Sequence, residues 1–416
     1  MKTLREIQNG LYARAKSEKD AKFNTLMDKV CRSDVLKEAW NLVYANRGSP
    51  GIDGESVRHV KEREEDLVNR TYRVESVRRI FIPKSNGKER PLGIPTVKDR
   101  IVQQAVKLII EPIFEADFHD SSYGYRPNRN AKQASLEIRR YLNYGCTEIV
   151  DMDISSFFDS IDHRIMMSLV ERRIRDGYVL HLIREWLRAG VVYSGETTYP
   201  ALGTPQGGVI SPLLANIYLN EIDRFWAEDG RYTAEKYDAH LIRYADDMAI
   251  LSGSNPETIM AIMRKLLNEL KLSLNEEKSR IVTAREGFDF IGFHFFRRYI
   301  ARKGREITIF QPSKKAVRNF REKAKKILNR KNLSMDEDEA VKRINHLIAG
   351  WTNYFNHTNA SRIYNVLQRF IDWLFYKFVA YRHKKRQLAV SDNLYTRIYR
   401  RKLKPLKGII RYSAVA

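Results

Sequence analysis

The sequence predicts an α+β fold, helices packed on one face of an antiparallel sheet, followed by a separate all-helical domain. Three observations carry this. A strand-like run ends in carboxylates at TEIVDMDI (147–154), two apolar runs flank an acidic pair in HLIRYADDMAILSG (240–253), and apolar residues recur at helical spacing beyond Phe296. Charge divides the chain in the same place. From Arg297 onward 30 Lys/Arg face 8 Asp/Glu, a net of +22, whereas residues 1–296 carry 44 against 43, a net of +1. That asymmetry points to a polyanionic partner.

Composition sets the outer limits. With 416 residues, 43% of them apolar and 30% charged, the chain can bury full cores and is not a disordered tail. Two cysteines, Cys31 and Cys146, exclude a disulfide framework and a cysteine-rich zinc site. No run of eighteen apolar residues occurs, and MKTLREIQNG is too polar for a signal peptide. The expectation is a soluble cytoplasmic protein without membrane contact, the nucleoid being the alternative address.

Taken in order, residues 1–45 read as a basic helical extension, with DVLKEAWNLVY at helical spacing. NRGSPGIDGES (46–56) is a loop by turn chemistry. A strand follows at 77–83, then SNGKERP (85–91), whose Asn86-Gly87 suits a tight hairpin tip. Helices are expected at 98–114, 130–142, 163–175, 178–189 and 256–270, with strands at 147–154, in the 240–253 hairpin and at FDFIGFHFF (288–296). Beyond Phe296 the pattern becomes helical: Ile344, Leu347, Ile348, Trp351 and Tyr354 make one stripe, and Ile363, Leu367, Phe370, Leu374 and Phe378 a second. These aromatics read as core, not as platforms for bases.

The carboxylates carry the chemistry. Asp151 and Asp153 lie two apart on a predicted strand and so share a face. Asp246 and Asp247 sit at a predicted hairpin tip, where adjacent residues point oppositely; Asp246, in phase with Ile242 and Tyr244, is expected to aim at the site that Asp153 faces. Gathered carboxylates repel unless a cation offsets them. Oxygen ligands in small number favour Mg²⁺, and two such ions ~3.5–4 Å apart serve in-line phosphoryl transfer.

At YADD (244–247), within LIRYADDMAIL, the chain resembles a reverse transcriptase, and further blocks follow that family's order: EIVDMDISSFFDSIDH, GTPQGGVISPLLANIYLNEID, KLSLNEEKSRIV and FDFIGF. NRGSPGIDG, FIPKSNGKERPLGIPTVKDRIVQQA, SYGYRPNRNA and INHLIAGWTNYF resemble the group II intron-encoded members with maturase activity. The resemblance implies a right-hand polymerase: fingers at 46–145, palm at 146–296 with finger-palm helices 163–190, a helical thumb or maturase domain at 297–385, and a basic tail at 386–416. It implies an RNA-directed DNA polymerase with two Mg²⁺, replaceable by Mn²⁺, held by Asp153, Ile154, Asp246 and Asp247, with Asp151 in support. Asp153, Asp246 and Asp247 are the catalytic set.

For the nucleotide it implies Lys84 and Arg90 on the triphosphate, Phe158 as a ring that collides with a ribose 2′-OH, Gln206 with Gly207 and Gly208 against the incoming nucleotide, and Lys278 at the leaving group. Asn46, Arg47, Gly48, Tyr125 and Arg126 are the expected template contacts. The implied partners are an RNA template, a DNA or RNA primer, deoxynucleoside triphosphates, a group II intron RNA and a second copy of the chain as a homodimer. No appended endonuclease is expected, since paired cysteines are lacking. Two alternatives stay open: a splicing chaperone with a vestigial polymerase, and a host-adopted free-standing enzyme of defence, spacer acquisition or repair.

Overall fold

A computed structural model describes residues 2–56, 67, 69–83, 89–193, 196–199, 202–204, 207–228, 231–382 and 403–406. In chain order its helices are α1 (Leu4–Ser17), α2 (Met27–Val30), α3 (Ser33–Ala45), α4 (Val97–Glu115), α5 (Ala131–Tyr144), α6 (Phe157–Ser160) and α7 (His163–Glu171). There follow α8 (Gly177–Arg188), α9 (Ser211–Ala227), α10 (Arg231–Lys236), α11 (Pro256–Glu269), α12 (Lys314–Ile327), α13 (Glu337–Phe355) and α14 (Ser361–Arg382). The strands are β1 (Val77–Pro83), β2 (Glu89–Ile94), β3 (Glu148–Asp153), β4 (Val191–Tyr193), β5 (Glu196–Thr198) and β6 (His240–Tyr244). Five more complete them: β7 (Asp247–Ser252), β8 (Arg280–Thr283), β9 (Phe288–Phe290), β10 (Phe293–Ile300) and β11 (Arg305–Pro312). Two compact units result, residues 1–130 with 150–281, and residues 131–149 with 282–416.

In the first unit, local chemistry fixes where the helices begin. The Thr3 hydroxyl accepts from the Glu6 amide while the Glu6 carboxylate accepts from the Thr3 amide, a reciprocal box that starts α1. Asp176 caps twice, accepting from Tyr178 and Val179 at the start of α8 and from Leu26 and Met27 at the start of α2. Buried Arg173 ties the N-terminal segment down, donating to the carbonyls of Ala15, Glu18 and Ala21 and to the Asp117 carboxylate. One aliphatic core runs through the unit, with α4 contributing Val102, Ala105, Val106, Ile109 and Ile110. Helix α9 is buried on nearly all sides, from Leu213 to Ile222. Buried Asn216, Asn220 and Asp223 interrupt its apolar residues, so no one-sided stripe announces it.

Two sheets frame the site. The order β2-β1-β4-β5 makes a finger sheet, and β6-β7-β3-β8 sets the two aspartate-bearing stretches on neighbouring strands. Strand β1 has the bounds expected from sequence, and its pairing with β2 from Arg78↔Ile94 to Pro83↔Glu89 leaves the expected tip at 84–88 outside the described residues.

The second unit corrects the reading of 288–296. That segment is two strands, not one: Phe293 pairs with Phe290 and Phe295 with Phe288, and the chain reverses through Ile291 (φ 42°) and Gly292 (φ 86°). Two successive positive-φ residues are what a tight primed turn demands, and glycine supplies one without strain. Nor does the chain become helical at Phe296. Strand β10 continues to Ile300 and pairs along its length with β11, and α5 packs on this sheet. Only then come α12, α13 and α14, whose interior holds Phe320, Ile344, Ile348, Leu367, Leu374 and Phe378. Of the two aromatic stripes, Trp351 is half-buried against Phe320, Phe355 and Tyr364, as a core residue should be, whereas Tyr354 is exposed.

Of the C-terminal 386–416 segment, residues 403–406 are described. Leu403 and Leu406 are buried, the Lys404 amide donates to Asn345 (2.8 Å) and the Leu406 amide to Gln368 (2.7 Å). The compact units also cut the chain differently from the expected segments, since 131–149 and 282–296 join the C-terminal residues.

Candidate active site

Strand β3 alternates as its sequence demands: Val150 and Met152 are buried, and Asp151 and Asp153 are half-buried on the other face. A loop from the end of α11 closes over that face. It is pinned by Ser155 donating to the Ser273 carbonyl (2.9 Å), Asn275 donating to the Asp153 carbonyl (2.8 Å) and the Ser279 hydroxyl beside the Asp153 amide (3.2 Å). This delivers two cations. Lys278 Nζ lies 2.7 Å from Asp153 Oδ2, and Arg280 Nε lies 3.3 Å from Asp151 Oδ2. Ile154 bridges Leu274 with its side chain buried, so a carbonyl oxygen is the ligand it could offer.

Across the sheet, β6 and β7 close with Tyr244 opposite Asp247, which makes Ala245 and Asp246 the two turn residues. Ala245 sits at φ 57°, a left-handed conformation that an L-residue holds only where its surroundings impose it. The strand-phase argument for Asp246 therefore fails, because Asp246 lies off the strand register. The crowded carboxyl is that of Asp247. Loss of water pushes it up to about 6, and repulsion from Asp246, Asp153 and Asp151 adds to this while Lys278 opposes it. Asp247 is exposed by area, but the three like charges alone fix the direction.

The remaining sequence-predicted residues fall into three groups. Lys84 and Gln206 lie outside the described residues, and of Arg90 only the backbone, in β2 opposite Ile82, is described. A second group, Phe158, Gly207, Asn46, Arg47 and Tyr125, lies within the described residues. Phe158 is half-buried in α6, edge-on to Phe157 at 5.2 Å, and its carbonyl accepts from Thr204 (2.8 Å), which fastens it to the glycine-rich loop. A Cβ on Gly207 would stand 2.4 Å from the Gly93 carbonyl oxygen, so only glycine lets the loop lie on β2. From α4, Gln103 holds the same loop by accepting from the Val209 amide (2.9 Å). Asn46 and Arg47 are exposed where α3 ends, and Tyr125 is 56% exposed.

Arg126 and Gly48 belong to the third group. Arg126 is buried; it pairs with Glu115 and donates to the carbonyls of His119 and Ser122. A guanidinium committed in this way is not a template contact, which corrects the expectation. Gly48 faces inward too: a Cβ there would meet the Arg100 guanidinium at 2.3 Å, and Arg100 donates to the Ser49 carbonyl (2.7 Å), clamping the loop to α4.

Sequence reasoning missed what lies behind the turn. Arg243 and Asp223 form a wholly buried, bidentate ion pair. Arg243 also donates to Asn216 Oδ1 (2.9 Å) and to the Ala245 carbonyl (3.1 Å). The signal was a lone arginine inside the apolar run of LIRYADD, which an isolated sequence presents as a surface charge.

A divalent cation fits this donor set. Four carboxylates converge, two are offset by Lys278 and Arg280, and the remaining negative charge adds to the loss of water that raises Asp247. Hard oxygen donors on two adjacent strands and the turn beside them suit a cation such as Mg²⁺, which Asp153, Asp246 and Asp247 would hold.

Comparison with known proteins gives the same ordering of parts. Residues 82–295 match the family model described as reverse transcriptase (RNA-dependent DNA polymerase), and residues 317–396 match the group II intron, maturase-specific domain. The chain is 33% identical over 359 residues to Protein YkfC of Escherichia coli, covering 76% of this chain and 94% of that protein. It is 32% identical over 341 residues to the group II intron-encoded protein LtrA of Lactococcus lactis, covering 66% of this chain and 57% of that one. A putative COX1/OXI3 intron 2 protein of Saccharomyces cerevisiae is 27% identical over 319 residues, 62% of this chain and 37% of its own length. Among the described residues, no helix is long and apolar enough to cross a membrane.

Proposed function

Because the chain belongs to the reverse transcriptase family and carries a group II intron maturase-specific domain, we propose that it copies RNA into DNA by two-metal phosphoryl transfer and that its basic C-terminal unit binds group II intron RNA to assist splicing and mobility. The observation that carries the reading is the convergence of Asp151, Asp153 and Asp247 on two neighbouring strands with Asp246 in the adjoining turn. A binding module has no need of such mutual repulsion. When bound, two Mg²⁺ ions supply the Lewis acidity that activates a primer hydroxyl and stabilises the leaving pyrophosphate.

The protein's own groups do the rest. Asp153, Asp246 and Asp247 hold and orient the cations. Lys278, paired with Asp153, neutralises or protonates the leaving group, and Lys84 and Arg90 grip the triphosphate. Phe158, fixed by Thr204 and Phe157, supplies the ring that excludes a 2′-OH and so selects deoxynucleotides. Asn46, Arg47 and Tyr125 face the template.

Extension of a DNA primer on an RNA template by wild type and by Asp246→Ala tests the enzyme. Equal incorporation by both rejects the assignment. For the maturase role, splicing of an intron RNA in the presence of Asp246→Ala separates binding from chemistry, since a protein that folds its RNA keeps that effect without the aspartate.

A further inference from the structure

Ala245 and Asp246 form a two-residue turn, and its shape decides where both carboxylates point. Such a turn, with a left-handed alanine, is held by something other than its own preference. Three restraints meet on it. Arg243 donates to the Ala245 carbonyl at 3.1 Å. The segment 121–124 meets β6 through a single parallel bridge, Ser122 to Arg243, with the Tyr123 amide donating to the Arg243 carbonyl (2.9 Å) and the Arg243 amide donating to the Ser121 carbonyl (2.8 Å). At its end, Gly124 presses on the turn so closely that a Cβ would lie 2.4 Å from the Ala245 amide nitrogen. Asn216 joins the restraints: its Nδ2 donates to the Gly124 carbonyl (2.8 Å) and its Oδ1 accepts from Arg243 (2.9 Å).

The ion pair at the centre is a poor way to gain stability. Arg243 and Asp223 are both 0% exposed, and two charges taken wholly out of water recover little more than their desolvation cost, so well-packed apolar residues would serve as well. What apolar residues cannot do is bond the Ala245 and Asn216 oxygens at once. We infer that Arg243, held by Asp223 and Asn216, is a positioning residue that fixes the Ala245–Asp246 turn and thereby aims Asp246 and Asp247 for metal binding and catalysis. This rests on the reading of those aspartates as the metal-holding pair.

The test exploits the substitution that a purely structural pair would tolerate. The double variant Arg243→Met with Asp223→Leu removes both charges and roughly conserves volume. Its melting temperature and RNA affinity should stay near those of wild type. Its kcat should fall about 100-fold with little change in the deoxynucleotide KM, because the lost alignment acts on the transition state. Mn²⁺ binding to the protein without nucleic acid, read by electron paramagnetic resonance, should weaken at least several-fold. Arg243→Lys keeps the charge but cannot reach Asp223, Asn216 and Ala245 together, and should move kcat and Mn²⁺ affinity in the same direction. A folded double variant with wild-type kcat and Mn²⁺ binding overturns the inference. So does failure of both variants to fold, since the network would then be a stability element first. Wild type that neither incorporates deoxynucleotides nor binds Mn²⁺ overturns instead the reading beneath it.

Discussion

The two units use charge in opposite ways. The first, residues 1–130 with 150–281, holds 40 Lys/Arg against 39 Asp/Glu, yet crowds four carboxylates into one place, while the second, residues 131–149 with 282–416, holds 34 against 12, a net of +22 dispersed along its sequence. Concentrated charge of one sign is a device for chemistry, because it creates a demand for a cation at one point. Dispersed charge of the other sign is a device for affinity, because each neutralised phosphate releases counterions. Chemistry and RNA binding should therefore be separable. Asp153→Ala or Asp246→Ala is expected to lower incorporation by about 10³-fold or more, as loss of a metal-holding or transition-state group does, with RNA affinity changed less than about twofold. A matching loss of RNA binding, measured by filter retention, would break the comparison.

The converse experiment changes affinity and spares chemistry. Helix α12 exposes Lys314, Lys315, Arg318, Lys325 and Lys326, enough for several phosphate contacts. Affinity for a structured RNA should fall by about 10³ between 50 and 200 mM salt, in keeping with roughly six contacts. Neutralising Lys325 and Lys326 together should reduce the slope of log affinity against log salt by about two. A flat salt response sends the search for the RNA footprint elsewhere.

A third expectation stays within the first unit and concerns selection instead of rate. Phe158 is fixed through its backbone by Thr204 and edge-on to Phe157. Phe158→Ala should erode discrimination against ribonucleotides by about 10- to 100-fold, as removing a steric contact from a pocket does, while leaving the melting temperature within a few degrees. Unchanged sugar preference removes the ring from the account of selectivity.

What the sequence revealed follows the reach of each signal. The strand at 77–83, the aspartate strand and the hairpin at 240–253 were legible because period-two alternation and turn residues are local. The β10–β11 pair was missed although Phe293, Phe295, Thr308 and Phe310 alternate inward, because aromatic-rich and basic segments mimic an amphipathic helix when read without a partner strand. Arg126 and Arg243 were misread or overlooked for a different reason. An arginine's role depends on which distant carboxylate it meets, Glu115 for one and Asp223 for the other, and nothing in the local sequence announces a buried partner. Leu403 and Leu406 show the same limit, since two leucines in a lysine-rich stretch give no periodicity to weigh.

The smallest effect sharpens the comparison most, because it gives the units opposite responses to pH. In the first unit Asp99 is buried beneath Tyr72 and Thr96, both of which donate to its carboxylate, and burial pushes its pKa up to about 6. The folded state thus holds that proton more tightly than the unfolded chain, so the Asp99 contribution is fullest below about 4 and is lost as pH rises through 6. In the second unit His357 is buried among aromatics with Ser135 Oγ at 2.9 Å, and burial, helped by Lys132 and Arg139, lowers its pKa to about 4. There the unfolded chain binds the proton better, and the contribution is present above 6.5 and lost as pH falls toward 4. Each shift corresponds to at most about 3 kcal/mol, and to about 1–2 kcal/mol once the protein's own polarisability is allowed for. Between pH 4.5 and 6.5, amide exchange should show α4 losing protection and α13 gaining it. Asp99→Asn should flatten only the first response and His357→Gln only the second. If either variant flattens both, the units are not independent in stability, and the separation of chemistry from affinity drawn above has no counterpart in folding.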